Sequence, residues 1–280
     1  MFRFQTYVLA LGLTSAASLL GEVDVRELIR RAVAADERNW KVARNYASSE
    51  RVDYRRLDST GQLKSREVTT FDVTLPHGSP YRRLTARDDR PLLPAEEKKE
   101  QERLRKRVAE RQKETPRQRS TRIEEYVMRP EWQRDAWREL PEAFDFRLVG
   151  NELLGGVSVY VIEAMPRLSY QPRSSTAKVL RSLHGKLWVD KGDYHLVKAE
   201  VEVIDNIWVG LFLVRLDKGS RVFFEQTWVN NEVWLPLRVR ALLSARLGLI
   251  KALRLEHEVY YSESREFPPG SPVIAQTKER

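Results

Sequence analysis

The chain of 280 residues has no cysteine, only three methionines and four histidines, and no apolar run of the about 20 residues that a bilayer-spanning helix needs. The missing cysteines exclude disulfides, thiol catalysis, thiolate-held metals and a lipid-modified N-terminal cysteine together. With 32% charged residues and a mean hydropathy of −0.53, no bundle of membrane helices fits. Enzyme signatures are missing too. No H-E-x-x-H, G-x-S-x-G, G-x-x-x-x-G-K-[ST] or G-x-G-x-x-G occurs, so catalysis lacks support, and neither a metal nor a cofactor is expected.

What is present begins with M-F-R-F-Q-T-Y-V-L-A-L-G-L-T-S-A-A-S-L-L-G-E. One arginine precedes an apolar stretch, Val8 to Leu13, and small residues follow at Ser15, Ala16, Ala17 and Ser18. That layout predicts a signal peptide over residues 1–21, cleaved between Ala17 and Glu22; a retained anchor is the alternative reading. Export without disulfides suits a bacterial periplasm, with association at the outer membrane as an option. The net charge of +9 would otherwise point to nucleic acid. In an exported chain it points instead to anionic lipid head groups or an envelope protein. Most of the aromatic residues also sit at apolar positions of the strand alternation, so they read as core and not as a base-stacking platform.

Apolar residues at near-helical spacing over Asp24 to Arg44 predict an amphipathic helix. Tyr46 to Leu57, S-T-G-Q and Leu63 to Leu75 read as a hairpin, and Tyr81 to Asp88 as a third strand. The composition then changes. Pro94 to Arg122 holds eleven Lys or Arg against six Glu, a solvated helix broken by Pro116, and a further helix is expected around Pro130 to Leu140. Residues 94–140 thus form a basic helical insertion in a single domain spanning 22–280.

After Phe144 eight strands alternate with short turns, and short links make neighbours antiparallel. Their boundaries are about Phe144 to Asn151, Val157 to Ala164, His184 to Lys191, Tyr194 to Ile204, Trp208 to Leu216, Arg221 to Val229, Val233 to Ser244 and Leu249 to Tyr261. Most alternate one apolar face with one wet face. Two stretches do not: I-W-V-G-L-F-L-V (Ile207 to Val214) and L-G-L-I (Leu247 to Ile250). Either helices cover both faces there, or they border an open apolar concavity.

The hairpin G-K-L-W-V-D-K-G-D-Y-H-L-V-K-A-E-V-E-V, Gly185 to Val203, tests for chemistry. A two-residue turn at Gly192 and Asp193 would set Asp190 opposite His195 and leave His184 about 20 Å away, too far for a shared metal. Asp190 and His195 then read as a polar cross-strand contact on an exposed hairpin end.

This hairpin, with its Gly-x-hydrophobic-Trp-Val-Asp strand, resembles the central hairpin of the periplasmic lipoprotein-sorting superfamily, which includes the lipoprotein carrier and its outer-membrane receptor. Q-T-W-V-N-N-E-V-W-L-P-L-R-V, Gln226 to Val239, is similar to the next recurring hairpin of that group, and the resemblance spans about Phe144 to Tyr261. It implies an α+β fold: a strongly curved antiparallel sheet, an incomplete barrel, with an N-terminal helix and a helical insertion covering its concave side. It also implies a non-enzymatic protein that shelters a lipid or lipoprotein acyl chain. Trp208, Leu211, Phe212, Leu213, Leu249 and Ile250, from the two apolar stretches, are the expected cavity or rim residues. The competing expectation is an envelope scaffold or sensor docking through the insertion. Charged outward positions such as Lys198, Glu200, Arg238 and Arg240 argue against a membrane-embedded barrel.

Overall fold

A computed structural model describes residues 24–128, 131–174, 177–209, 214–247 and 251–267. The expected signal peptide therefore lies outside the described residues. Helix α1, Val25–Ala43, begins where Asp24 accepts hydrogen bonds from the backbone N–H groups of Arg26 (3.0 Å) and Glu27 (3.1 Å), satisfying two donors that a helix start leaves orphaned. Leu28, Ile29, Ala32 and Ala35 are buried along one stripe.

Strands β1 (Tyr46–Leu57), β2 (Leu63–Thr74), β3 (Tyr81–Arg87) and β4 (Arg90–Pro91) form a first meander. Three helices follow: α2 (Pro94–Gln112), α3 (Pro116–Val127) and α4 (Glu131–Ala143). Pro116 does end α2, as expected, but it also opens α3, a helix the sequence reading did not separate. Thr115 Oγ1 accepts from the Gln118 N–H (3.3 Å), and Gln118 Oε1 accepts from the Thr115 N–H (2.9 Å), a reciprocal cap with Pro at the first helical position.

The second meander contains β5 (Phe144–Leu154), β6 (Val157–Pro166), β7 (Leu183–Asp190), β8 (Leu196–Val203), β9 (Ile207–Val209), β10 (Val214–Leu216), β11 (Arg221–Val229), β12 (Val233–Leu247) and β13 (Lys251–Glu266). The strand expected over Trp208 to Leu216 is two short ones, β9 and β10, paired antiparallel with each other. All pairings are antiparallel, in the order β4-β3-β2-β1-β13-β12-β11-β8-β7-β6-β5, with β10 and β9 attached beside β12. β1 and β13 sew the two meanders together, from Tyr46↔Glu266 to Leu57↔Arg254. The sheet stays open, with β4 and β5 at its edges, and the helical segment from α2 to α4 runs from one edge to the other.

The inner face of the sheet is the one that α1 packs against. Leu28, Ile29 and Ala32 meet Ile162, Val189, Leu196 and Ala199 there, and Trp137 and Leu140 of α4 join them. α4 also packs on a second cluster around Phe144, Ala164, Tyr170 and Leu180. The helices thus cover the β5 to β8 end of the inner face. At the other end α3 sends Tyr126 against Ala47, Val73, Leu75 and Phe267, and its hydroxyl donates to the Arg44 carbonyl (2.9 Å).

α2 and α3 are fastened by two arginines. Arg111 is buried, and its guanidinium donates to the carbonyls of Pro76 (2.7 Å), Ser79 (2.8 Å) and Pro80 (3.1 Å) in the turn between β2 and β3. Arg122 spans Glu114 (2.6 Å), Ser79 Oγ (2.6 Å) and the His77 carbonyl (3.2 Å). The insertion is therefore covering in part, through α4, and edge-mounted in part, through α2 and α3.

The outer face carries a separate apolar cluster of Val159, Val161, Trp188, Val197 and Trp234 toward β6 to β8, and is polar toward β12, β13 and β1. Arg238 pairs with Glu258 across β12 and β13, and Asp53, 3% exposed, receives both Arg55 and Arg66.

Candidate functional site

Between the covered end and the β3 edge, the inner face carries rows of cross-strand neighbours. One row runs Val239↔Val259↔Val52↔Thr69, the next Ala241↔His257↔Tyr54↔Glu67, and a third Leu243↔Leu255↔Arg56. In the other direction Tyr261↔Glu50↔Phe71↔Leu84 forms a further row. Side chains in one row share a face because strand periodicity is two residues. Above these strands opens a groove of about 520 Å³, from Tyr54 and His257 at one end to Phe71, Arg82 and Tyr261 at the other.

The groove is graded along the strands. At the Tyr261 end Arg82 is paired with Glu50 (2.6 Å) and lies over the Phe71 ring, 4.2 Å from its centroid. Burial there pushes the Tyr261 hydroxyl pKa up, and Glu50 adds to it. At the opposite end Tyr54 and His257 meet edge to face, with centroids 6.3 Å apart. Beyond them Leu243, Ala245, Leu253 and Leu255 are half-buried on the same face, continuing the apolar strip toward residues 248–250.

The Asp190 and His195 hairpin differs from expectation. The turn spans Lys191 to Tyr194, not two residues, although the Asp190 N–H does donate to the His195 carbonyl (2.8 Å) as the predicted register requires. The hairpin end is not exposed either. His195 is 2% exposed, stacked on Trp234 with centroids 5.4 Å apart, because β12 and α1 close over it. Asp193 accepts from the His195 N–H (2.8 Å) and from Trp234 Nε1 (2.8 Å). Burial pushes the Asp193 carboxyl up, but these hydrogen bonds outweigh it and hold its pKa down; burial raises the pKa of neighbouring Asp190. Burial lowers the pKa of His195. The cluster is a structural knot sealed from the groove.

Of the residues expected at the cavity, Trp208 is described. It lies on β9, 45% exposed, with the Arg215 guanidinium 5.6 Å from its ring centroid. Register places it with Arg215 and Arg246, while Ile207, Leu216 and Ala245 share the inner face. Leu211, Phe212, Leu213, Leu249 and Ile250 lie outside the described residues. Sequence reading missed Val52, Tyr54, Leu243, Leu255 and His257. Their alternation marked an apolar face, but not which part of it the helices leave uncovered. Among the described residues no group of three or more His, Asp or Glu side chains could hold a metal, and no helix is long and apolar enough to cross a membrane.

No family model and no curated protein matches the chain. Solved structures do resemble it. A Vibrio parahaemolyticus structure described as an outer membrane lipoprotein-sorting protein domain is 14% identical with a TM-score of 0.36, covering 87% of this chain and 94% of its own. The LolA superfamily protein NE2245 from Nitrosomonas europaea is 13% identical, with a TM-score of 0.33 over 85% and 94% of the two chains. The MucA/MucB complex of Pseudomonas aeruginosa gives 12% identity and a TM-score of 0.27 over 87% and 99%. At this distance none of them carries an activity across to the present chain.

Proposed function

We propose that the chain is an exported, non-enzymatic binding protein that shelters an acyl chain, of a lipid or a lipoprotein, in the groove on the inner face of its open sheet. The uncovered groove carries this reading: about 520 Å³ lies within the range of small-molecule sites, and a half-buried apolar strip of Leu243, Ala245, Leu253 and Leu255 runs on from it. A monomer gains by covering such a strip. Each methylene moved from water contributes about 0.8 kcal/mol, so eight contribute about 6 kcal/mol before ordering costs are subtracted. The gradation suits an amphiphile, with its polar head at Arg82 and Glu50 and its tail over the leucines. Within the groove Glu50 is engaged by Arg82, and His257 stands edge-on to Tyr54. The layout of residues 1–21 supports export to the periplasm, where lipid and lipoprotein trafficking would supply such a cargo.

The test is binding of a fluorescent fatty acid to the purified chain and to Leu243→Asp and Leu255→Asp variants. Both leucines are half-buried, so the variants should fold. We expect saturable uptake by the parent chain and at least a tenfold loss in each variant. Equal affinity in all three, with unchanged melting, would sink the assignment.

A further inference from the structure

The outward face of α2 is a charged feature that the groove does not use. At about 100° per residue, Glu100, Leu104, Val108 and Arg111 fall on the side turned to β3 and the 76–80 turn, and all four are buried or half-buried. Lys98, Lys99, Glu102, Arg105, Lys106, Ala109, Glu110 and Lys113 fall on the opposite side, and all eight are exposed. Five of the eight are cations and two are anions. Among the described residues, no ion pair engages Lys98, Lys99, Arg105, Lys106 or Lys113, whereas Arg103 and Arg107, nearer the flanks, are held by Glu100 and Glu110. The row spans 16 residues, from Lys98 to Lys113, about 22 Å at 1.5 Å rise per step. It cannot swing freely, because Arg111 and Arg122 bolt α2 and α3 to the turn.

We propose that this face docks the protein on an anionic phospholipid bilayer. Its chemistry selects the partner. A row of cations along one straight helix, with no apolar pocket among them, offers no anchor of the kind that dominates protein interfaces. Laterally mobile anionic head groups need none, since they rearrange to meet the charges, each basic residue near such a surface contributing about fivefold in affinity. The face carries no aromatic on which a nucleic-acid base could stack. Two large apolar side chains, Leu93 at the start of α2 (68% exposed) and Met128 at the end of α3 (53% exposed), flank the helix pair and can add contact with the head-group region. The mounting gives the docking a use. α2 packs on β3, and β3 supplies Arg82 to the polar end of the groove, so a bilayer held by α2 meets the protein beside that end.

The inference rests on the acyl-binding reading for its purpose but not for its test. The full chain is sedimented with vesicles of phosphatidylcholine containing phosphatidylglycerol, and with vesicles of phosphatidylcholine alone, at low and high salt. We expect preference for the anionic vesicles, loss of that preference as salt rises, and a loss of about a hundredfold or more in the quadruple variant Lys98→Gln, Lys99→Gln, Arg105→Gln, Lys106→Gln. Glu102→Gln should tighten binding. All these positions are exposed, so folding should persist, and fatty-acid uptake in solution reports on the groove separately. Equal sedimentation of parent and quadruple variant, or no preference for anionic vesicles, overturns the proposal, as does tight binding to an oligonucleotide without binding to vesicles. Loss of fatty-acid uptake with vesicle docking intact would instead sink the acyl-binding reading and leave the docking face standing.

Discussion

Replacing Arg111 by Met should cost about 2–4 kcal/mol, and the structure supplies the terms. The guanidinium donates to three carbonyls, and hydrogen bonds from a charged donor contribute about 1.5–3 kcal/mol each. Methionine fills the stem but leaves the carbonyls of Pro76, Ser79 and Pro80 without that donor. The loss is less than the sum, because burial also penalises the arginine: it pushes the Arg111 pKa down to about 10, with Arg122 and Arg107 adding to the effect. That penalty is present at any pH where the group is charged in both states, and relaxes only as pH rises through the folded value. The destabilisation should therefore be flat between about pH 6 and about pH 9. Urea unfolding of the parent and Arg111→Met gives the global term, and amide exchange over α2 and residues 76–80 gives the local one. Faster exchange confined to those segments is expected, since Arg122 still holds α3. A shift below about 0.5 kcal/mol, within the range of ordinary surface changes, with exchange unchanged, would refute the fastening role.

Three further outcomes follow from the same geometry. Asp53 is held down to about 2 by hydrogen bonds from Arg66 and Arg55, against a burial cost. Its contribution is present above the ordinary carboxylate value and lost as pH falls through about 2, so Asp53→Asn should cost about 1–2 kcal/mol at neutral pH, allowing for solvent at the half-exposed arginines, with the difference from the parent shrinking in acid. For His195 burial lowers the pKa below 6.5, so the folded state resists protonation. Stability should fall as pH drops below about 6.5, and the difference in urea midpoint between pH 7.5 and pH 5.5, about one unit either side of that value, should be smaller in His195→Gln; an identical difference would show that the folded imidazole takes up a proton as readily as the unfolded one and would refute the burial argument. Gly78 has φ +85°, and an added Cβ would lie 3.1 Å from Ile123 Cδ1 of α3, so Gly78→Ala should lower stability by about 1–2 kcal/mol, read by thermal melting.

Helix and strand positions were largely legible, because each has a local cause. Asp24 announces α1, the S-T-G-Q turn fixes the first hairpin, and alternation along Val233 to Ala241 marks β12. Pro116 was ambiguous in principle, since the residue that ends one helix is favoured at the first position of another. Thr115 and Gln118, three residues apart, were the signal that decides between those roles. The four-residue turn at Lys191 to Tyr194 was hidden because Asp190 and Asp193 hydrogen-bond to the local backbone, an option that counting residues in a turn does not reveal. The burial of His195 and the extent of the groove depend on where α1 crosses the sheet. Asn39 fixes that crossing by pairing with the Trp234 backbone, a contact 195 residues apart in sequence. No local pattern encodes which half of an apolar face a distant helix will cover.

The pairing of β1 with β13 also has a bearing on biosynthesis. Tyr46 finds Glu266 only after some 220 further residues have emerged, so one side of β1 waits unpaired while they are made. An unpaired strand edge is a template for aggregation, and charge is the usual protection. β1 carries Glu50, Arg51, Asp53, Arg55 and Arg56 within seven residues, a density that discourages a premature partner. β13, the last strand among the described residues, closes that edge, with Glu256 beside Arg55. A chain stalled or clipped before β13 would keep the first meander and the second as far as β12 but leave β1 and β12 with raw edges, and it is at that seam that quality control in the cell would find its substrate.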